Sequence, residues 1–192
     1  MAWKVTTAPA SEPLTATAVK NYLKVDYSTD DTLITSLIVA ARNKVEEYTG
    51  RRLMIQTITE KLDTFPGVTI PNPDAILTLS VLPLRSVTSI QYKDTAGASQ
   101  TFASSNYIVD TTSEPPRIGL AYGSDWPELY DEIDAVTITY LVGYDDADAV
   151  PDAIKSAMYL MIGQMYETRT NTVKKLPSHA EWLLNEYRVR SF

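Results

Sequence analysis

The chain has 192 residues, of which 44% are hydrophobic and 21% charged, and it contains no cysteine. This composition is typical of a globular domain with a sizeable core, and the lack of cysteine excludes disulfides and thiolate metal sites. The formal net charge of −7 argues against binding of nucleic acid through a basic surface.

Two helices are predicted in the first fifty residues. Residues 1–14 have few periodic apolar positions, so we expect extended chain there. Thr15 can cap a short helix over 15–24. A longer helix over 31–49 follows, with Gly50 suited to end it. Seven apolar residues fall within about 140° of a helical wheel and form its predicted buried face: Leu33, Ile34, Leu37, Ile38, Ala41, Val45 and Tyr48.

A β-rich region is predicted from residue 52 to residue 142, where β-branched and aromatic residues alternate with Pro, Gly and Asn. Its candidate strands are 53–62, 86–93, 106–109, 117–121 and 135–142. The last alternates most regularly, with one face formed by Val136, Ile138, Tyr140 and Val142. The stretch 94–97, Asp-Thr-Ala-Gly, predicts a hairpin loop between two strands.

The third long helix is predicted over 151–169, with Pro151 in its first turn. Its apolar residues cover most of the circumference, which is typical of a helix buried in a domain or between subunits. Met158, Met161 and Met165 share one side, and both core packing and an adaptable interface fit them. No apolar run approaches the ~20 residues of a membrane span, so we expect a soluble protein that does not bind a membrane.

A final helix is predicted over 178–188, because Ser178-His179-Ala180-Glu181 has the pattern of a capping box. We expect it to end near Tyr187 or Arg188 and to leave 189–192 as a terminal tail without core-forming periodicity.

The predicted fold class is therefore α+β: a small helical bundle with a β-rich insertion between the second and third helices. We expect one domain over 1–192, helical over 15–50 and 151–188, with the insertion over 52–142.

Residues for catalysis are scarce. His179 is the only histidine, so a Ser-His-Asp arrangement or a histidine-based metal site would depend on it. The capping-box pattern instead predicts a solvated residue at a helix start. The seven glycines are scattered and form no phosphate-binding loop. We expect no enzyme activity and no cofactor or metal.

An acidic interval is the best remaining candidate for a site. Nine acids and no Lys or Arg lie between Arg117 and Lys155. Three of these acids, Asp145, Asp146 and Asp148, could hold a hard cation, but the Gly and the distal Glu of an EF-hand loop are missing. A solvated loop and a docking surface for a basic partner both remain open, as does a carboxylate pair for hydrolysis.

The order of short motifs along the chain resembles the head–tail connector (adaptor, or head-completion) proteins of tailed phages. The N-terminal half contributes Trp3, Pro9, Glu12-Pro13-Leu14-Thr15, Lys20, Leu23, Asp30-Asp31, Ala40-Ala41, Glu47-Tyr48-Thr49-Gly50-Arg51 and Gln56-Thr57. The remainder contributes Asp63-Thr64-Phe65-Pro66, Leu82-Pro83-Leu84, Val87, Ile90, Tyr92, Gly143-Tyr144, Pro151, Tyr166, Arg169, Leu183-Leu184 and Tyr187-Arg188.

The resemblance implies a virion structural protein without catalysis. Such a protein assembles as a ring beneath the portal protein, binds the tail or stopper protein, and continues a channel through which DNA passes without sequence-specific binding. It would be found at the head–tail interface of the virion and in the host cytoplasm during assembly. The alternatives are another phage morphogenesis protein such as a tail terminator, or a β-rich ligand-binding module or hydrolase that uses the acidic loops.

Candidate partner-binding residues are the exposed aromatic, basic and acidic side chains near the two ends and in the acidic loop. Aromatic and arginine residues are enriched at interface hot spots. Trp3 and Trp182 fit either a core or an interface anchor. The candidates are Trp3, Asp145, Asp146, Asp148, Lys174, Lys175, Trp182, Tyr187, Arg188, Arg190 and Phe192.

Overall fold

The α+β class is confirmed, since the protein has both helices and antiparallel sheets. The computed structural model describes residues 2–66, 76–168 and 177–189. The chain divides into two compact units. Residues 1–8 and 55–143 form the β unit, and residues 9–54 and 144–192 form the helical unit. Of the described helices, none is long and apolar enough to cross a membrane.

The helices lie close to their predicted positions. They are α1 (Ala16–Leu23), α2 (Asp31–Thr49), α3 (Asp152–Thr168) and α4 (Ser178–Leu184), and a 3-10 turn, Asn185–Tyr187, extends the last. Thr15 caps α1 as predicted, because its side-chain oxygen accepts a hydrogen bond from the backbone N–H of Ala18 at 3.2 Å. Gly50 ends α2 with φ of 74°, a left-handed conformation that favours glycine.

The buried face of α2 is rotated from the predicted one. Its buried residues are Ile34, Ile38, Ala41, Arg42, Val45, Glu46 and Thr49. At 100° per residue this stripe is turned by about 80° from the apolar stripe. Leu33, predicted to be buried, is exposed. The physical reason is an ion pair inside the stripe, Arg42 with Glu46, which a search for apolar periodicity does not detect.

The prediction of a capping box at the start of α4 is wrong. Ser178 is the first residue of the helix, Pro177 takes the N-cap position, and the cap makes no side-chain hydrogen bond. The backbone carbonyl of Pro177 accepts from the N–H of Glu181 at 2.9 Å, so the hydroxyl of Ser178 lies one residue too late to act as the cap. Pro151 likewise precedes α3 rather than lying in its first turn, and its carbonyl accepts from the N–H of Ile154 at 3.0 Å.

The β unit contains two antiparallel sheets. The strands are β1 (Ala2–Thr7), β2 (Gln56–Leu62), β3 (Leu77–Thr78), β4 (Leu84–Lys93), β5 (Ser99–Phe102), β6 (Tyr107–Asp110), β7 (Arg117–Leu120) and β8 (Val136–Val142). The larger sheet has the order β1-β2-β8-β4-β5 and the smaller β3-β7-β6. The five predicted strands correspond to β2, β4, β6, β7 and β8, and the predicted hairpin loop joins β4 to β5.

Among the described residues of the β unit, the core contains one carboxylate, that of Glu60. Strands β2 and β8 alternate buried and partly buried residues throughout. On this buried face, Glu60 Oε2 accepts from the Tyr140 hydroxyl at 2.6 Å and Oε1 accepts from the Ser80 hydroxyl at 2.5 Å. The hydrogen bonds offset the cost of burying the charged group.

Candidate assembly surfaces

Trp3 lies on an exposed edge strand. All six residues of β1 are exposed, and β1 is the terminal strand of the larger sheet. Trp3 pairs with Glu60 on β2, and Val5 pairs with Ile58. The side chains of Trp3 and Val5 therefore continue the buried face of the sheet beyond its covered core. Trp3 is nevertheless 43% exposed. Of the two interpretations from sequence, this exposure favours an interface anchor.

The acidic loop connects β8 to α3. Asp145, Asp146 and Asp148 are exposed there. Asp146 Oδ1 accepts from the N–H of Ala149 at 2.8 Å and so closes a turn before α3. Among the described residues, no group of three or more acidic or histidine side chains has the arrangement of a metal site. The loop's role in partner binding stays a prediction.

Other acids of the interval are neutralised by bases from distant parts of the chain. Lys61 pairs with Asp134 at 3.0 Å, and Lys93 pairs with Glu132. Folding therefore reduces the charge imbalance that the sequence predicts for this interval. The exposed acids that remain near the end of β7 include Asp125 and Glu128.

The C-terminal segment is held against the end of α2. Arg51 Nε donates to the carbonyl of Tyr187 at 2.7 Å, the Arg188 guanidinium lies 5.2 Å from the centre of the Tyr48 ring, and the N–H of Val189 donates to the carbonyl of Thr49 at 2.8 Å. The predicted helix end near Tyr187 is confirmed. Val189, predicted to belong to a loose tail, is instead part of the fold.

Gly50 lies where this segment crosses α2. A Cβ on Gly50 would be 3.4 Å from Cβ of Val189. This is an ordinary van der Waals distance, so the positive φ of Gly50 is the structural reason for glycine in the Thr-Gly-Arg motif.

The other candidates at this end of the chain differ in exposure. Trp182 on α4 is 73% exposed, which favours an interface anchor. Four candidates, Lys174, Lys175, Arg190 and Phe192, lie outside the described residues.

His179 is exposed in the first turn of α4, at a cleft that Tyr22, Leu160 and Gln164 also line. Also on this cleft, the Tyr166 hydroxyl donates to Asp30 Oδ2 at 2.6 Å, and this bond to a carboxylate raises the pKa of Tyr166. Its phenol therefore stays protonated over the ordinary pH range and serves as a donor.

Replacing His179 with alanine is expected to leave both the melting temperature and assembly unchanged, because its side chain is solvated and has no second histidine or cysteine to act with. Thermal melts measure the first effect, and sedimentation of the purified protein, which reports its self-association, measures the second. The neighbouring Ala180 is fully buried, so Ala180→Asp is a control that should lower the melting temperature. Lost assembly with an unchanged melt of His179→Ala would contradict this prediction.

Sequence reasoning missed one surface, on the outward face of the smaller sheet. Ile108 on β6 is 63% exposed and pairs with Gly119 on β7. Further along these strands Arg117 Nη2 donates to Asp110 Oδ2 at 2.7 Å. Hydrogen bonds from Ser113 and Arg117 hold the pKa of Asp110 below its usual range. A glycine inside a predicted strand was the available signal.

The solved structures with a similar fold come from particle necks and virions. A chain of the "Neck of empty GTA particle computed with C6 symmetry" aligns with a TM-score of 0.80 and 21% identity over 100% of this chain and 97% of that chain. A chain of the "Virion of native gene transfer agent (GTA) particle" aligns with a TM-score of 0.78 and 22% identity over the same shares. For the "Neck of native GTA particle computed with C12 symmetry" the TM-score is 0.71, with 22% identity and the same shares.

The family comparison identifies the class of protein. The model described as "Phage gp6-like head-tail connector protein" matches residues 15–114, just over half of the chain. No curated protein sequence gives a significant match. The protein is a virion structural protein of the head–tail connector class. The chain belongs to the phage gp6-like head-tail connector family.

Proposed function

We propose that this protein is the adaptor that forms a ring below the capsid portal, continues the DNA channel and presents a surface to the tail or stopper protein. Its role is structural, without enzymatic activity or a cofactor. It assembles in the host cytoplasm and remains at the head–tail interface of the virion. The chain acts as one connector domain over 1–192, with the β-rich region inserted between the second and third helices.

The observation that carries this proposal is the similarity of the fold along the whole chain to neck proteins, combined with the family match. The aligned neck structures were computed with C6 and C12 symmetry, and rotational symmetry of this kind is consistent with a ring. Head-to-tail contacts in a closed ring use two different surfaces of each subunit. The exposed Trp3 and Trp182, on different units, are suitable anchors for such contacts or for the portal.

The charge of the chain fits a channel through which DNA slides. With a net charge of −7, the protein lacks the basic excess that holds phosphate by counterion release. Repulsion keeps the DNA mobile, so we expect no measurable affinity for duplex DNA at physiological salt.

Binding of the purified protein to its cognate portal protein tests the proposal. Co-sedimentation should show a stable complex with the portal. Binding to the tube end alone would indicate a tail terminator instead. A monodisperse protein that binds neither component would reject the adaptor role.

We also expect assembly to weaken as salt rises. From Lys155 to the end of the sequence, six bases outnumber the acids. The interval before Lys155 is acidic. Opposite charges can therefore meet across a head-to-tail contact. Exposed pairs are screened beyond about 10 Å at 0.1 M salt. Sedimentation of the assembly from 0.05 to 0.5 M salt, about a tenfold range, measures this; indifference to salt would contradict it.

Deleting residues 190–192 is expected to leave the melting temperature unchanged and to weaken portal binding. The last described backbone contact is the one from Val189 to Thr49, and the sequence beyond it has no core-forming periodicity, so we expect the melting temperature to tolerate the deletion. Arg190 and Phe192 offer residue types that are common at hot spots. Deletion of 189–192 is the control, and it should lower the melting temperature as well. Full portal binding by the shorter deletion would reject a docking role for the tail.

A further inference from the structure

The face of the larger sheet opposite its buried core carries a row of lysine and hydroxyl side chains. Lys4 of β1 lies opposite Thr59 of β2, and Thr59 lies opposite Thr139 of β8. Thr139 in turn lies opposite Ser89 of β4. Because directly paired residues project from the same side of a sheet, these four form one row across four strands. The hydroxyl of Thr6 joins the row through a 2.6 Å hydrogen bond with that of Thr59.

A second row lies beside the first, two residues along each strand. It consists of Lys61 of β2, Thr137 of β8, Gln91 of β4 and Thr101 of β5. We call the surface formed by the two rows the hydroxyl face, and none of its residues is buried. The side chains of Thr137, Gln91 and Thr101 make no hydrogen bond within the part of the chain that the structure describes. The hydroxyl face therefore presents hydroxyl and amide donors to the outside.

The hydroxyl face differs in charge from the chain as a whole. The sequence has 24 acids and 17 bases, yet neither row contains an acid. Acids follow beyond the strand ends, where Asp134 pairs with Lys61 and Glu132 pairs with Lys93. The side chain of Lys4 forms no ion pair within the described residues. A polyanion is therefore repelled less here than the net charge of −7 would imply.

The composition of the hydroxyl face fits a phosphate backbone better than a protein partner. Protein interfaces are depleted in lysine and serine, and their hot spots are poor in serine and threonine. The same residue types, together with glutamine, make many of the contacts to phosphate oxygens in protein–DNA complexes. Such contacts do not depend on base sequence. Because hydroxyl and amide donors carry no charge, they also hold DNA only weakly.

We propose that the hydroxyl face lies against the phosphate backbone of duplex DNA in the channel. This inference rests on the proposed ring, whose central opening holds the DNA. A face with Lys4 as its unpaired base releases few counterions from the duplex, which agrees with the lack of measurable affinity that we expect of the isolated protein. In the ring, every subunit presents the same face, so the DNA slides past neutral donors without being held.

Cleavage of DNA by a tethered iron chelate tests this placement. The chain has no cysteine, so Gln91→Cys introduces a single thiol on the hydroxyl face, to which iron–EDTA can be attached. The control is the same label at Ile108→Cys, which is 63% exposed on the smaller sheet. The two sheets share one core, so the exposed side of the smaller sheet is directed away from the hydroxyl face. Both positions are exposed, and both variants should melt like the parent.

Labelled rings on the portals of DNA-filled particles should cut the DNA from Gln91→Cys and lose this cleavage at Ile108→Cys. Equal cleavage from both positions, cleavage from Ile108→Cys alone, or intact rings with no cleavage from either position overturns the inference. Loss of ring assembly on labelling Gln91→Cys also overturns it, because the hydroxyl face would then be a contact between proteins. Failure of the unsubstituted protein to form rings would instead overturn the proposed function.

Discussion

Truncation of Ile162 to alanine is expected to lower the free energy of unfolding by about 2–5 kcal/mol. Ile162 on α3 is fully buried in the core of the helical unit, together with Met158 and Ile154. Removing its outer carbons leaves a cavity that the surrounding core side chains cannot fully close. Met165, on the same side of α3, is only partly buried, and it therefore should tolerate truncation better. Denaturant unfolding of the purified protein measures both effects.

Two further variants calibrate this result. Ile162→Val removes a single carbon and should cost about 0.5–1.5 kcal/mol. Ile133→Ala makes the same change as Ile162→Ala at a site that is 81% exposed, where surface substitutions have effects within about 0.5 kcal/mol. An Ile162→Ala variant that unfolds like the parent would contradict the contribution of this buried side chain to the core.

Replacing Glu46 with alanine is expected to be comparably damaging, at about 3–5 kcal/mol. Its carboxylate accepts from Arg42 Nη1 at 3.3 Å, from Arg52 Nη1 at 2.8 Å and from the N–H of Leu53 at 2.9 Å. Arg42 also donates to Glu12 at 2.7 Å. Without Glu46, the buried Arg42 loses one of its two carboxylate partners and the Leu53 N–H loses its acceptor, and both changes carry a desolvation cost.

The next residue on α2 supplies a matched control. Glu47 forms an exposed pair with Lys44, with 72% of its side chain accessible. Exposed pairs contribute about 0–1 kcal/mol, so Glu47→Ala should unfold near the parent. Equal stabilities for Glu46→Ala and Glu47→Ala would show that the ion pairs of Glu46 do not hold α2 in place.

The helices were the most predictable part of the fold. The sequence placed α2 at its observed bounds, because a long apolar periodicity and the C-terminal Gly50 mark both its body and its end. It did not place the buried face correctly. Arg42 and Glu46 are polar residues that become buried only because each satisfies the other, and that pairing depends on the approach of Glu12 and Arg52 from elsewhere in the chain.

The sheets were predictable only where a strand shows strong alternation. Strand β8 does, since Val136, Ile138, Tyr140 and Val142 are buried and alternate with partly buried residues. Strand β3 has two residues, β5 is Ser-Gln-Thr-Phe, and β1 is exposed on both faces. None of these has a period-two apolar pattern of useful length. Their pairing is set by long-range register and not by local preference.

The candidate surfaces were predictable in part. Residue type alone directs attention to Trp3 and Trp182, and both are exposed. The exposed face at Ile108 was not predicted, because the position of Ile108 opposite Gly119 depends on the register of β6 with β7. Asp134 lies in a stretch without bases, so its ion pair could not be predicted from the sequence. Its partner, Lys61, is far away along the chain.

Electron microscopy of the protein mixed with its cognate portal protein tests the adaptor role most directly. We expect a closed ring seated on one face of the portal, with its central opening in line with the portal channel. In the same preparation, His179→Ala should give rings like those of the parent. Portals that remain bare after incubation with folded, unsubstituted protein would contradict the adaptor role.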